Sequence, residues 1–587
     1  MLAPEDGRVA MITMDPSRIG AMSCNPAIGG LAKGQMVCEI DAMGGLMGMA
    51  ADVTGIQFRV LNQTKGPAVR GPRCQSDKYR YAEEVQRLLG TRRNLDILAG
   101  TVEKILVENH RVVGVIHKCG SDSTRLASSA VVLTTGTFMR GLMHTGESQT
   151  EGGRVGEDSA VGISGALREL GFELGRLKTG TPPRLAAETI DFSGLEEQPG
   201  DVDPTPFSDE PLEYFPAMEQ RVCWLTETNQ TIHDAIHANL DRAPMYNGQI
   251  ETAGPRYCPS IEDKVVRFAD RSSHHVFLEP ESLGTNEIYC NGISTSLPAD
   301  VQETIVANMP GCEKAKILQH GYAVEYDMVW PHQIDATCMT KHVEGFFLAG
   351  QINGTSGYEE AAGQGLIAGV NAVNFTRGDS MFRLRRDQAY IGVMMDDLVT
   401  KTPREPYRMF TSRAEFRLLL RSDNADERLT LLARELGLVD GAKWDRFNQR
   451  IQSLDVLREF LSQNKEGNKK LIDWVRAPQV QIDDVLQRLN GDSRLPAASR
   501  DRRLVSRLLA DVQYSGFIER QRQDIARLAS QENVALPADF DYTTIGSLRN
   551  EAATTLNRFQ PTTLGQAGRL AGVTPADVML LAVAIKC

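Results

Sequence analysis

Two cysteines in this 587-residue chain stand where a thiol could act rather than pack. Cys258 lies in Gly254-Pro255-Arg256-Tyr257-Cys258-Pro259-Ser260-Ile261-Glu262-Asp263-Lys264-Val265-Val266-Arg267-Phe268, bracketed by prolines that hold its backbone extended. Ser260 is placed to cap the following helix, with Asp263 three residues on, and Arg256 together with that helix start favours thiolate. A well-capped helix with an incidental cysteine fits the same string. Cys24, in Met22-Ser23-Cys24-Asn25-Pro26-Ala27-Ile28-Gly29-Gly30-Leu31-Ala32-Lys33-Gly34, reads as a thiol beside a glycine turn at a helix start, where its pKa would fall. A buried inert thiol fits equally. The glycines and Lys33 fail the Walker spacing, which argues against a nucleoside triphosphate.

A third stretch must position this chemistry. Phe346-Phe347-Leu348 reads as a short buried strand, Ala349 to Gly357 as a polar glycine turn, and Tyr358 onward as a helix of about four turns. Gly363, Gly365 and Gly369 each cost that helix about 1 kcal/mol against alanine, so something is expected to press on its backbone. Glu359 and Glu360 mark its positive end, which suits an anion or a ring that becomes anionic on reduction. A tight strand–helix unit without ligand is the plain alternative. Leu98 to Phe138 reads as hairpins, and Ala130–Gly136 as a buried parallel strand closing in Thr-Gly.

The totals predict two to four domains. Hydrophobic content of 41% and charged content of 24% suit a soluble globular protein. The acidic start at Glu5-Asp6 lacks a signal peptide's basic region, and no apolar run suffices to span a bilayer. Ten cysteines without a Cys-x-x-Cys pair argue for reduced cytoplasmic thiols, against structural zinc and against a disulfide framework. The histidines lack metal-binding spacing. Net charge is -12, but the part before Arg404 carries roughly -16 and the remainder roughly +4. Phosphate recognition is therefore expected toward the C-terminal end. There Arg413, Arg417 and Arg421 fall four apart on one face of a predicted helix capped by Ser412. Such a stripe can grip a phosphate backbone, and a solvated face fits as well. Arg500, Arg502, Arg503 and Arg507 form a second basic cluster, and Lys65-Gly66-Pro67-Ala68-Val69-Arg70 a rigid basic loop for phosphates or RNA, or simply a solvated turn.

The order Ala349-Gly350-Gln351-x-Asn353-Gly354-x-x-Gly357-Tyr358-x-Glu360, the Cys258 string, the Cys24 motif and the helical tail resemble the MnmG (GidA) family of flavoproteins that modify the tRNA wobble uridine. The resemblance runs over almost the whole chain. It implies an α/β FAD-binding core of the two-dinucleotide, Rossmann-like type, at residues 1–180 and 330–386. An inserted α+β nicotinamide and substrate domain would occupy 181–329, and a helical C-terminal region that binds tRNA and a partner would occupy 387–587. The core lacks its N-terminal strand and Gly-x-Gly-x-x-Gly loop, on the order of 25 residues; truncation is the favoured reading, with weak flavin retention expected. FAD would contact Val102, Ser159, Gly350, Gln351, Asn353, Gly354 and Gly357, although Asp158-Ser159-Ala160 departs from the family's Pro-Pro-Ser. NADH is associated with 254–268, Cys258 with chemistry at the uridine and Cys24 with activity, and methylenetetrahydrofolate is the co-substrate. Arg413, Arg417 and Arg421 would face tRNA. An MnmE-like GTPase would join a homodimer in a heterotetramer, away from any membrane. The alternatives are a folate- and FAD-dependent tRNA uridine-5 methyltransferase and a non-catalytic tRNA- or GTPase-binding scaffold.

Overall fold

The structure, a computed structural model, describes residues 7–250, 259–401, 405–490, 492–532 and 534–585. Its first unit is built on two parallel strand pairs: Val9–Thr13 with Leu95–Ala99, and Val131–Leu133 with Phe346–Leu348. Phe346, Phe347 and Leu348 are wholly buried, as an apolar strand run predicts. The partner strand is not. Only Val131–Leu133 of the apolar run is strand, and Val132 is 36% exposed. Among the described residues it has a strand on one side only, so its outer face stays partly open.

The chain leaves Phe346–Leu348 through a short turn and enters the helix Tyr358–Arg377, longer than the periodicity suggests and closed by Gly378 in the left-handed region (φ 75°). Only one of its three glycines is used for close packing. A Cβ at Gly363 would lie 3.3 Å from Ile391 and 3.5 Å from Met36, whereas Gly365 and Gly369 have nothing within 4 Å. The expectation of a surface pressed along the whole glycine face is thus corrected to one crossing point, with the helix Tyr390–Thr400. The hairpin strands Thr101–Glu108, Arg111–Cys119 and Asp122–Ala127 form one antiparallel sheet.

The inserted unit has its own core. A six-stranded sheet runs, edge to edge, through Glu196–Gln198, Cys223–Glu227, His275–Pro280, Glu287–Asn291, Arg184–Ala186 and Ile317–Gln319. The helices Gln230–His237, Ile261–Arg267 and Ala299–Ala307 supply Ile232, Ile236, Ile261, Val301 and Ile305 to its apolar core. A four-stranded antiparallel sheet of 142–145, 148–151, 174–181 and 322–329 connects the two units.

The switch to helix near 387 does not coincide with a change of core. Tyr390, Ile391, Val393, Met394, Leu398 and Leu429 pack into the first unit's core. Separate helical cores begin with Gly441–Gln463: one centred on Leu454, Leu457, Leu471, Val485 and Leu508, the other on Tyr542, Leu556, Leu564 and Leu581. Two caps stand near the end. Thr563 caps Leu564–Arg569, and Thr574 forms a full capping box with Asp577 ahead of Pro575–Ala584. The tail is not purely helical, because Lys465–Glu466 and Lys469–Lys470 pair as a small exposed hairpin. No helix of the described residues is long and apolar enough to cross a membrane.

Candidate functional site

Side chains inside the turn hold its shape. Asn353 Nδ2 donates to Leu348 O at 2.7 Å and to Gln364 Oε1 at 2.9 Å, and Gln364 Oε1 also accepts the Gly350 N–H. Gly350 and Gly354 take φ of 86° and 78°, where a Cβ would be strained. Asn353 therefore braces the turn through its amide nitrogen, while its Oδ1 is buried without a partner among the described residues. Beside the turn, the strand Val131–Leu133 ends in Thr135 and Gly136 (φ 57°). Gln351 Oε1 lies 3.6 Å from where a Gly136 Cβ would be, and the buried Thr135 hydroxyl also lacks a partner. The Ser159 loop is tied here by the Ala160 N–H to Phe138 O bond of 2.7 Å. A Cβ at Gly162 would lie 3.9 Å from the Glu103 carbonyl oxygen, next to Val102. Gly136 and Gln351 thus meet from two separate stretches of sequence, with the Ser159 loop tied to Phe138 two residues further on.

At the helix start the two acidic side chains turn away to protein partners. Glu359 accepts the Gly29 N–H at 2.7 Å and Lys33 Nζ at 2.9 Å; Glu360 lies 3.4 Å from the same ammonium and accepts the Met409 N–H at 2.9 Å. Burial works against charge on Lys33, yet the two carboxylates outweigh it and hold its pKa above the usual range. A Cβ at Gly357 would fall 2.5 Å from Lys33 Nζ, so only glycine lets this ion cluster close over the turn.

Cys24 is brought to the same place by partners the spacing did not reveal. Its N–H donates to the Tyr358 hydroxyl at 3.0 Å, so the first residue of the elbow helix touches the cysteine directly. Its Sγ lies 3.2 Å from the hydroxyl of Tyr289, in the inserted unit. Arg184, only 4% exposed, donates to Ser23 O at 2.9 Å, stacks over the Tyr289 ring at 4.9 Å and approaches Glu281 at 3.5 Å. Burial and the neighbouring Cys24 push the Tyr358 hydroxyl pKa far up, so the phenol stays protonated. One expectation is corrected here. Cys24 does not stand at the start of its own following helix, which begins at Lys33 after the intervening strand Ala27–Gly29. It faces the start of the elbow helix instead.

Residues 254–258 of the proline-bracketed motif, including Cys258, lie outside the described residues. The rest forms the helix Ile261–Arg267, with Ser260 accepting the Asp263 N–H as its cap. Its polar side chains are occupied in anchoring it: Glu262 accepts from Thr295 Oγ1 at 2.8 Å and Ser296 N–H at 3.0 Å, Asp263 from Tyr246 at 3.2 Å, and Lys264 Nζ donates to Gly292 O at 2.6 Å. Val266 and Phe268 are exposed. Ile261 N–H bonds to Ser294 O; a Cβ at Gly180 would meet the Ser294 hydroxyl at 2.9 Å, and the next residue, Thr181, is held by Arg184. The described end of the motif is thus tied through Ser294 to the end of the strand Leu174–Thr181.

The three-arginine helix is not formed. Thr411–Arg413 is a single 3-10 turn, and the chain continues through turns to Ser422–Asn424. Arg421 is 1% exposed, 2.6 Å from Asp511 and 2.8 Å from Asp423. Arg413 stacks on Tyr407 at 4.4 Å and lies 3.5 Å from Asp397. Only Arg417 points outward, because carboxylates distant in sequence draw the other two inward. Most of the second cluster is likewise spent: Arg507 is 2% exposed and bonded to Asp426, Arg502 lies 2.7 Å from Asp483, and Arg500 donates to backbone carbonyls. Arg184, Tyr289 and Tyr358 carried no signal of their own in the sequence, apart from the place of Tyr358 directly after Gly357.

Residues 1–380 match the family model described as glucose inhibited division protein A, and 524–587 match one described as the tRNA modifying enzyme MnmG/GidA C-terminal helical bundle. The chain is 50% identical to a Rhodopirellula baltica protein described as tRNA uridine 5-carboxymethylaminomethyl modification enzyme MnmG, over 98% of this chain and 89% of that protein. Two crystal forms of Aquifex aeolicus GidA superpose with TM-scores of 0.89 and 0.90 at 42% and 43% identity, covering 99% of this chain and 95% and 96% of theirs.

Proposed function

This chain belongs to the MnmG/GidA family, and we propose that it is a cytoplasmic tRNA-modifying enzyme that builds an aminomethyl or carboxymethylaminomethyl group on C5 of a wobble uridine. The observation that carries the reading is the Cys24 N–H to Tyr358 hydroxyl bond, which joins a cysteine loop to the first residue of the glycine elbow at the seam with the inserted unit. FAD fits the elbow: Gly136, Gly350 and Gly354 keep side chains out of a cradle where Thr135 Oγ1 and Asn353 Oδ1 lack partners among the described residues, beside Gln351, and Val102, Ser159 and Gly357 are assigned to the same cofactor. When bound, reduced FAD supplies the redox and one-carbon chemistry, with NADH as reductant and methylenetetrahydrofolate as carbon source. NADH is assigned to 254–268.

The chain's own part is nucleophilic. Uracil C5 attacks electrophiles only after a thiolate adds at C6, which moves the C5–C6 electron pair toward C5 and O4 as an enolate. C5 then bonds to the one-carbon electrophile. Loss of the C5 proton and departure of the sulfur from C6 restore the double bond. Cys258 is assigned the addition and Cys24 the proton transfer, with Tyr289 and Tyr358 fixing Cys24. The family resemblance further suggests a homodimer joined to an MnmE-like GTPase in a heterotetramer, with Arg413, Arg417 and Arg421 toward tRNA; of these only Arg417 is an exposed cation able to reach a phosphate.

Nucleoside mass spectrometry of tRNA incubated with the enzyme, FAD, NADH, methylenetetrahydrofolate, an amine donor and the GTPase tests this reading. A C5-aminomethyl-type product at the wobble position, lost in Cys258→Ser, is expected. A 5-methyluridine product, or none, refutes it.

A further inference from the structure

One aromatic ring faces outward where helix periodicity calls for a polar residue. In the helix Ser515–Glu532, Ile518 is buried while its neighbour Phe517 is 56% exposed. The ring is not isolated. Tyr514, at the junction with the helix Arg502–Gln513, lies 6.4 Å away centroid to centroid, and the Arg520 guanidinium sits 5.7 Å over the Phe517 ring.

This patch reaches the cysteine corner through the basic loop. A Cβ at Gly66 would lie 2.6 Å from the Tyr514 hydroxyl, so the backbone beside Lys65 touches that ring. On its other side the loop is pinned to the Cys24 stretch: Gln35 donates to Arg70 O at 3.0 Å, and the Gly30 N–H donates to Pro72 O at 2.7 Å. Gln521 in turn donates to Glu415 O at 3.3 Å, next to the segment that carries Arg417. Lys65, Arg70, Arg417 and Arg520 make no ion pair among the described residues, and Arg70 Nε is buried without a partner. In a chain of net charge -12, Arg520 over the exposed ring and Lys65 beside Gly66, which meets Tyr514, are cations without a carboxylate partner among the described residues.

From this we propose that Phe517, with Arg520 and the Lys65–Arg70 loop, is a stacking platform for an unpaired RNA base beside the modified uridine. The inference rests on the tRNA reading above and names a subsite that reading does not contain. The chemistry favours single-stranded RNA over a protein partner. A base presents a flat π face to Phe517, and its flanking phosphates present anions to cations that protein carboxylates leave free. A splayed-out loop nucleotide has both features at once.

The test uses the full-length protein and an RNA hairpin with uridine at the wobble position of its loop, compared with the same sequence held in a duplex. Affinities are measured by fluorescence anisotropy for wild type, Phe517→Leu and Phe517→Trp. Leucine keeps the apolar bulk but removes the π face, so hairpin affinity should fall about 5- to 100-fold, as loss of one base–aromatic stack does. Tryptophan should retain affinity, and its emission should be quenched by the hairpin and not by the duplex. Lys65→Ala and Arg520→Ala should each lower the salt slope of binding by about one. A Phe517→Leu protein that binds the hairpin as tightly as wild type overturns the proposal. The two readings fail separately: normal uridine modification by Phe517→Leu with unchanged affinity removes the platform alone, whereas Phe517-dependent binding with no C5 product removes the activity alone.

Discussion

The glycine elbow around 350–360 and the arginine segment 405–421 lie against each other, joined by the Met409 N–H to Glu360 bond and a backbone bridge between Thr355 and Tyr407. They take their shapes from different sources. In the elbow, left-handed glycines and the Asn353–Gln364–Thr355 network close the turn with partners at most 14 residues away. In the segment, Arg421 is fixed by Asp511, 90 residues on. Residue spacing reports local geometry faithfully and says little where a distant charge decides which way a side chain points.

Charge substitutions give the largest test of that contrast. Lys33→Met leaves Glu359 and Glu360, both about fully buried, without their cation; a loss of about 3–5 kcal/mol in urea unfolding is expected, enough to loosen the elbow. Arg421→Met should cost about 2 kcal/mol, less because Asp423 and Asp511 keep access to water. Equal costs for Arg421→Met and Arg417→Ala would break the account of the segment, since the exposed Arg417 should stay within about 0.5 kcal/mol of wild type.

A second probe uses pH. Asp52 accepts the N–H groups of Phe207 and Ser208 from the inserted unit, at 2.9 and 2.7 Å, and burial pushes its pKa up to about 7. Its folded pKa exceeds the unfolded value, so the fold favours the protonated acid. The stability it contributes is full below about pH 4 and is lost as pH rises through 7, by at most roughly 4 kcal/mol. Asp52→Asn should flatten that fall. An unchanged stability difference between pH 5 and pH 8 in the variant would remove Asp52 as its source.

The smallest effects sharpen the elbow itself. Gly369→Ala, with open space at its Cβ, should raise stability by about 0.5–1 kcal/mol. Gly363→Ala meets Ile391 at 3.3 Å and should not gain. If both gain equally in thermal unfolding, the helix crossing at Gly363 is looser than described.

The same division explains what could be read in advance. The Phe346–Leu348 strand, the elbow helix, the Ser260 and Thr574 caps and the change to helix in the tail all follow from short-range chemistry. The arginine stripe failed because three residues at helical spacing do not make a helix when Asp397, Asp423 and Asp511 compete for them. The strand Val131–Leu133 was read as buried from its composition, yet burial depends on neighbouring strands that the run itself cannot reveal. Around Cys24, the glycine turn was legible, while Arg184 and Tyr289 come from strands of the inserted unit more than 150 residues away, and no local pattern announces them.

The central claim is that a thiolate of this chain attacks the uridine ring, with Cys258 assigned the addition and Cys24, at the seam between the elbow and the inserted unit, the proton transfer. A tRNA carrying 5-fluorouridine at the wobble position tests it most directly, because fluorine replaces the C5 proton and cannot leave as a cation, which traps the protein–RNA adduct after C5 has reacted. Peptide mass spectrometry should find the adduct on Cys258 and none in Cys258→Ser. An active enzyme that forms no adduct at Cys258, or forms it at Cys24 instead, would contradict the account.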